Sequence, residues 1–220
     1  MRILAIGAHP DDIEIACSGT LAKCVQRGDT VIVCHVSSGN LGHVVIPPDE
    51  LRVIRANEAK KAGAKTSIDL VSENSDRYSL VVPCLKYVDN LIINEVEAGK
   101  ICGMEASKEN LPEIAKTLKG MGVRERVIIH TPDLGICYSD NGITITPSYQ
   151  LPEGYIQGTT GAGDAYCAGA LLGIHEELSD MDILNMATVA ATGALSTADA
   201  TSGLKTYEEL KEICKDFKRK

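Results

Sequence analysis

The sequence predicts an α/β fold of three layers, a mostly parallel sheet flanked by helices, in a single compact unit. Three observations lead there. Continuous apolar runs such as "RILAIGA" and "TVIVCHV" have the length and uniformity of strands buried on both faces. They alternate with stretches of helical length and pattern, as in repeated strand-helix units. The length, 220 residues, allows one sizeable core and is short for two comfortable domains.

The elements follow in order. "RILAIGA" is a first strand, a helix runs from about Glu14 to Arg27 and stops at Gly28, and "TVIVCHV" is a second strand. "SSGNLGHVVIPPD" is a turn-rich loop, and "ELRVIRANEAKKAG" a charged amphipathic helix. "TSIDLVS" and "YVDNLIIN" read as strands, followed by a short helix from Glu95 and another over "LPEIAKTLKGM". "RVIIHT", "GICYSD" and "GITITPS" are strands, and three helices close the chain: "GAGDAYCAGALLGIHEEL", "MDILNMATVAATGALSTA" and "YEELKEICKDF". In such sheets, ligands bind in the loops beyond the carboxyl ends of the strands. The segment from His9 to Asp12, Asn94, His130 and the "GTTGAGD" loop all lie where a strand ends or a helix begins.

Bulk properties exclude some partners. A net charge of −8 argues against nucleic acid and anionic membrane surfaces. Residues 1–64 carry 7 basic and 7 acidic groups, and residues 65–220 carry 15 and 23, so the excess lies in the second part. Eight cysteines form no C-x-x-C pair and mostly sit in apolar runs, as small buried residues of a reducing, cytoplasmic compartment do. The N-terminal apolar run is too short for a signal peptide, and no uncharged stretch is suited to span a bilayer.

Two motifs carry chemistry. In "AHPDD", His9 and Asp12 can face one ion at a strand-to-helix turn, with Pro10 holding His9 extended and Asp11 free to take a proton from a metal-bound water. Helix capping by Asp11 or Asp12 explains the same residues, and residue types alone do not separate the two. The second motif, "GTTGAGDAYCAGALLGI", is a glycine-rich loop running into a helix, where backbone N–H groups can meet an anion. It is neither a Walker A loop nor G-x-G-x-x-G. Asp164 at its end is a poor phosphate ligand but a suitable base for a hydroxyl attacking a phosphoryl group. Its plain alternative is a helix start capped by Thr159 or Thr160.

The segment from Met1 to about Ala64, with "GAHPDDIEIACSGTLAKCVQRGDTVIVCHVSSGN" and "IRANEAKKAGA", resembles the opening of the LmbE/PIG-L family of zinc-dependent N-acetylglucosamine-type deacetylases. The resemblance implies zinc held by His9 and Asp12, Asp11 as general base, Glu14 in the same motif and Arg55 near substrate. The family adds a histidine from a later "HPDH"-like segment, which this sequence lacks. Of His35, His43, His130 and His175, His130 ends a predicted strand and is the substitute considered.

From about Lys65 to Phe217 the chain resembles the C-terminal half of the PfkB/ribokinase family of sugar kinases, whose signature is usually D-T-x-G-A-G-D. That implies ATP and magnesium, Asp164 as base, and an anion hole from the N–H groups of Gly161, Ala162 and Gly163, with Thr160 beside them. "NEVE" matches the family's N-x-x-E element and would put Asn94 and Glu97 near the magnesium and phosphates. "ATSG", near Ala200, would flank the adenine. Gly158 replaces the first aspartate of the signature. In "HTPDLG", where the family has a nucleotide turn, Gly135 survives of two glycines and Pro132 takes the other's place. The N-terminal half of that family, with its sugar contacts and lid, has no counterpart in residues 1–64.

The expected organisation is therefore a hybrid. A deacetylase-like strand-helix-strand-helix segment, 1–64, joins a kinase-like segment, 65–220, in one continuous Rossmann-like or ribokinase-like domain. Three functions follow: ATP-dependent phosphoryl transfer to a sugar-like or nucleoside-like hydroxyl, zinc-dependent N-acetyl-sugar deacetylation, or a non-catalytic hybrid. The missing lid would leave apolar surface that favours self-association.

Overall fold

A computed structural model describes residues 1–7, 12–35, 45–47, 50–51, 53–54, 57, 61, 65–70 and 77–220. The chain divides into two compact units, Met1–Arg55 and Ala56–Lys220. The division falls inside the predicted helix "ELRVIRANEAKKAG", most of which lies outside the described residues.

In the first unit, β1 (Arg2–Gly7) and β2 (Thr30–His35) pair in parallel, from Arg2 opposite Thr30 to Gly7 opposite His35. Parallel strands need a crossover, and α1 (Asp12–Gln26) supplies it. Gly28, at φ +90°, turns the chain back into β2, as its place after the helix suggests.

The second unit holds a five-stranded sheet in sequence order: β3 (Ser67–Ile68), β4 (Asn90–Asn94), β5 (Arg126–His130), β6 (Leu134–Ser139) and β7 (Gly142–Pro147). β3, β4 and β5 run parallel, and β6 and β7 fold back antiparallel. Among the described residues the strands form two hydrogen-bonded sheets.

Both faces of the second sheet are covered. Alternate strand residues point to opposite faces. Leu91, Ile93, Val127 and Ile129 pack with α2 (Glu95–Cys102) and α3 (Leu111–Gly120) through Ala98, Ile114 and Leu118. Ile92, Ile128 and Cys137 pack on the other side with α4 (Ala162–His175) and α5 (Asp180–Ala194) through Tyr166, Ala170, Ile183 and Leu184. A small satellite core joins Val189 to Leu210 and Cys214 of α6 (Tyr207–Cys214). The three-layer prediction holds in this unit. Among the described residues, no helix is long and apolar enough to cross a membrane.

One element departs from the sequence reading. Residues Arg77–Tyr87 form a 3-10 helix containing Pro83, and the strand predicted from Tyr87 starts only at Asn90. Proline removes a backbone donor, so an α-helical or sheet ladder is interrupted there. Tyr78, Val81 and Leu85 of this segment are buried against the α2–α3 face of the sheet.

The α4–α5 crossing fixes the helix that carries Asp164. A Cβ on Gly169 would stand 2.8 Å from the Ala187 Cα and 2.9 Å from the Met186 carbonyl, so the backbones meet with no room for a side chain. Gly169→Val is expected to destabilise the fold by about 2–3 kcal/mol or more through overpacking. Denaturant unfolding checks this, and an unchanged midpoint would mean the crossing is looser than described.

Candidate functional site

Several of the expected site residues lie near the carboxyl ends of the parallel strands of the second unit, where such sheets bind ligands. Asn94 ends β4 and His130 ends β5, and the two are directly paired across the strands. Asp69 follows β3 immediately, and α4 begins at Ala162 with Asp164 in its first turn.

Asn94 and Glu97 close the start of α2 as a reciprocal capping box. The Asn94 Oδ1 accepts from the Glu97 N–H at 2.9 Å, and the Glu97 Oε2 accepts from the Asn94 N–H at 3.1 Å. Glu97 is buried, and this cap accounts for much of its placement.

α4 is built differently. Asn94, Ser179 and Thr206 cap α2, α5 and α6 with side chains. The N-cap of α4 is Gly161, at φ +80°, with no side-chain cap among the described residues; Thr159 and Thr160 do not take that role. First-turn N–H groups without side-chain partners, at a positive dipole end, suit an anion. The Ala162 N–H is turned to the Thr159 carbonyl at 3.3 Å, which leaves Gly161 and Gly163 as the better donors of the expected three. Asp164 is exposed, and its charge also favours the helix start on which it sits.

The loop glycines have a packing reason as well. A Cβ on Gly161 would stand 2.8 Å from the Ala200 Cα, and one on Gly158 would stand 2.9 Å from the Ala198 carbonyl. The loop lies flush on residues 197–200, so an aspartate at 158 would collide with backbone. Gly161→Ala adds left-handed strain to that collision and is expected to cost about 1–3 kcal/mol. Loss of any anion binding at the loop should accompany it, measured by calorimetry with Mg-ADP. Gly135, expected to touch nucleotide, lies inside β6 between His130 and Thr146, where a side chain would overlap the Tyr166 hydroxyl.

Electrostatics converge on Asp69. Its carboxyl is pushed up to about 6, first by burial and then by the nearby charges of Glu97 and Asp164, although the residue stays solvent-exposed, which screens these effects and keeps their weight in stability small. Its backbone bond at Leu70 and the Cys167 thiol pull the other way. Among the described residues, no three such groups are close enough to hold a metal by themselves. An acid raised in the fold favours the protonated state, so its effect on stability is most favourable below the unfolded value and is lost as pH rises through the folded one. Asp69→Asn is therefore expected to raise the thermal midpoint near neutral pH and to flatten its change between about pH 4 and 6. A variant with wild-type pH dependence would contradict this. The sequence reading did not single out Asp69, although the strand-end rule points to it.

His130 is mostly buried, and burial holds its imidazole down to about 4, so it is neutral at physiological pH. Its ring lies 4.7 Å from that of Tyr166, tilted by 32°. Of the other expected metal residues, His9 and Asp11 lie outside the described residues, and Asp12 opens α1 with its side chain undescribed. Arg55 is also outside them.

Comparison with known proteins finds likenesses of different kinds for sequence and for structure. The family model described as "PIG-L: GlcNAc-PI de-N-acetylase" matches residues 4–135. The Escherichia coli (strain K12) protein "Uncharacterized deacetylase YaiS" is 30% identical over 96 residues, 43% of this chain and 50% of that one. The solved structures are of another kind. Arabidopsis thaliana ribokinase, complexed with ribose and ATP, superposes with a TM-score of 0.64 at 20% identity, over 77% of this chain and 53% of its own. Ribokinase from Thermotoga maritima superposes with a TM-score of 0.62 at 16% identity, over 98% and 81%. At these identities the structural likeness establishes a ribokinase-like fold. The chain spans about half the length of the deacetylase and of the Arabidopsis ribokinase.

Proposed function

This chain belongs to the PIG-L family, the GlcNAc-PI de-N-acetylases, yet has a ribokinase-like fold, and from that premise we propose that it is a phosphotransferase acting on a sugar-like hydroxyl with ATP. The observation that carries the reading is α4: a long helix started by glycine, without a side-chain cap, with Asp164 in its first turn. Asp164 accepts the proton of the substrate hydroxyl as its oxygen bonds to the terminal phosphorus. The Gly161 and Gly163 N–H groups receive the charge on the transferring phosphoryl group, and ADP departs. Magnesium, when bound, offsets phosphate charge. Asp69 and Glu97 would hold it beside the nucleotide, in a site completed by the phosphates.

The family match favours a second reading, a zinc amide hydrolase with Asp11 as base and His9 and Asp12 as ligands.

Thermal unfolding separates the readings. A ligand that binds only the folded chain raises its midpoint. Mg-ADP is expected to raise it, and zinc or a chelator to leave it in place. A midpoint raised by zinc, lowered by the chelator and indifferent to Mg-ADP would favour the hydrolase. Indifference to all three would leave a non-catalytic hybrid.

A further inference from the structure

We propose that residues 217–220 form a strap at the carboxyl-end rim, in which Lys220 is the positioning residue of the turn 131–134. The inference concerns the shape of the rim and holds for either reaction considered above. Basic segments of the "KDFKRK" kind are ordinarily solvated. This one is tied down. Its backbone extends the sheet: the Gln150 N–H donates to the Lys218 carbonyl at 2.8 Å and the Lys220 N–H to the Ser148 carbonyl at 2.9 Å. Tyr149 and Arg219 thereby form an antiparallel bridge just beyond β7. The Ser148 N–H donates in turn to the Asp133 carbonyl at 2.8 Å, so strap, residues 148–150 and turn lie side by side.

Arg219 is the anchor. Its guanidinium donates to the Pro147 carbonyl at 2.6 Å and to the Asn185 Oδ1 at 2.7 Å, and lies 4.0 Å from the centre of the Tyr149 ring. Phe217 meets the Tyr149 and Tyr155 rings edge-on. Lys220 is the clasp. Its ammonium donates to the Pro132 carbonyl at 2.8 Å and to the Asp133 carboxylate at 2.6 Å. Within the turn, the Thr131 hydroxyl accepts from the Asp133 and Leu134 N–H groups, both at 3.0 Å, while Pro132 and Asp133 themselves are exposed. Both line a cleft with Glu95, Ser107 and Lys108, so the clasp sets one wall of it. A solvated lysine would hold an exposed aspartate weakly, because the pair is screened and ordering its side chains costs entropy. Docking of the strap restricts Lys220 beforehand and lowers that cost.

Amide hydrogen exchange of the full chain tests this at the Asp133 and Leu134 N–H groups. Lys220→Met is expected to speed their exchange about threefold, the weight of one exposed ion pair. Lys220→Arg, which restores a donor and the charge, is expected to keep the wild-type rate. Arg219→Ala is expected to speed exchange at the turn at least as much, although its own bonds go to Pro147 and Asn185. Adding Lys220→Met to Arg219→Ala should then change little more, since an undocked lysine has already lost the turn. Exchange at Ile128, in the middle of β5, should stay within about twofold of wild type throughout, because the opening is local. Wild-type exchange at the turn in Lys220→Met would overturn the inference. So would the same gain from Lys220→Met in the Arg219→Ala chain as in the wild type, or equal acceleration at Ile128 and at the turn.

Discussion

Asp164→Asn is expected to lower ATP-dependent turnover by about 10²- to 10⁴-fold, the usual contribution of a positioned general base. That range corresponds to roughly 3–5 kcal/mol in the barrier. The fold should hardly notice. Asp164 is exposed, and its charge at the start of α4 adds at most about 1 kcal/mol to the helix. The amide is close in shape to the carboxylate, so nucleotide binding at the Gly161 and Gly163 N–H groups should survive. Turnover and Mg-ADP affinity, measured on the same preparation, separate the base from the cradle. Wild-type turnover in the variant would remove Asp164 from the chemistry.

Asp180→Ala is expected to destabilise the fold by about 3 kcal/mol, or roughly 10 °C in midpoint for a chain of this size. Asp180 begins α5 and is buried. One carboxylate oxygen accepts from the Arg126 Nε at 2.8 Å and the other from the Ser139 Oγ at 2.6 Å. The contacts tie the start of α5 to β5 and β6, beneath the helix pair that presents Asp164. Removing the carboxylate leaves the partly buried Arg126 guanidinium with its Glu125 contact alone and takes the acceptor from the buried Ser139 hydroxyl. Burial alone would raise the Asp180 carboxyl, but the Ser139 and Arg126 bonds outweigh it and hold the group below the usual carboxylate range. A depressed acid contributes stability above its unfolded value and loses it as pH falls through the folded one. The variant should therefore lose stability at neutral pH and little more as the pH drops below about 4. An unchanged midpoint at pH 7 would show that the contact Arg126 already makes with Glu125 is enough to hold it.

The layers and the strand-end rim were legible from the sequence because apolar periodicity reports burial directly. "NLIIN" and "RVIIH" are buried on both faces, and both became central parallel strands. Strand order was not legible, since nothing local to Asn94 says that β5 lies beside it. That neighbour places His130 opposite Asn94 and next to the glycine loop. The 3-10 helix around Pro83 was missed because its apolar residues follow neither common period. Gly158 stands where the family signature has an aspartate. The close approach of residues 197–200 gives it a steric reason, which only tertiary structure supplies. His9 and Asp11, the most chemically suggestive pair near the start, stand outside the described residues, and their role rests on the sequence and the family match.

The central claim is that this PIG-L family member transfers a phosphoryl group. Phosphorus NMR of the purified chain with Mg-ATP and a panel of pentoses, hexoses and ribonucleosides tests it most directly, with acetate release from N-acetylglucosamine followed in parallel. The account predicts a new phosphomonoester resonance, formed one-to-one with ADP, and no acetate. Acetate release that requires zinc, with ATP left intact, would contradict it.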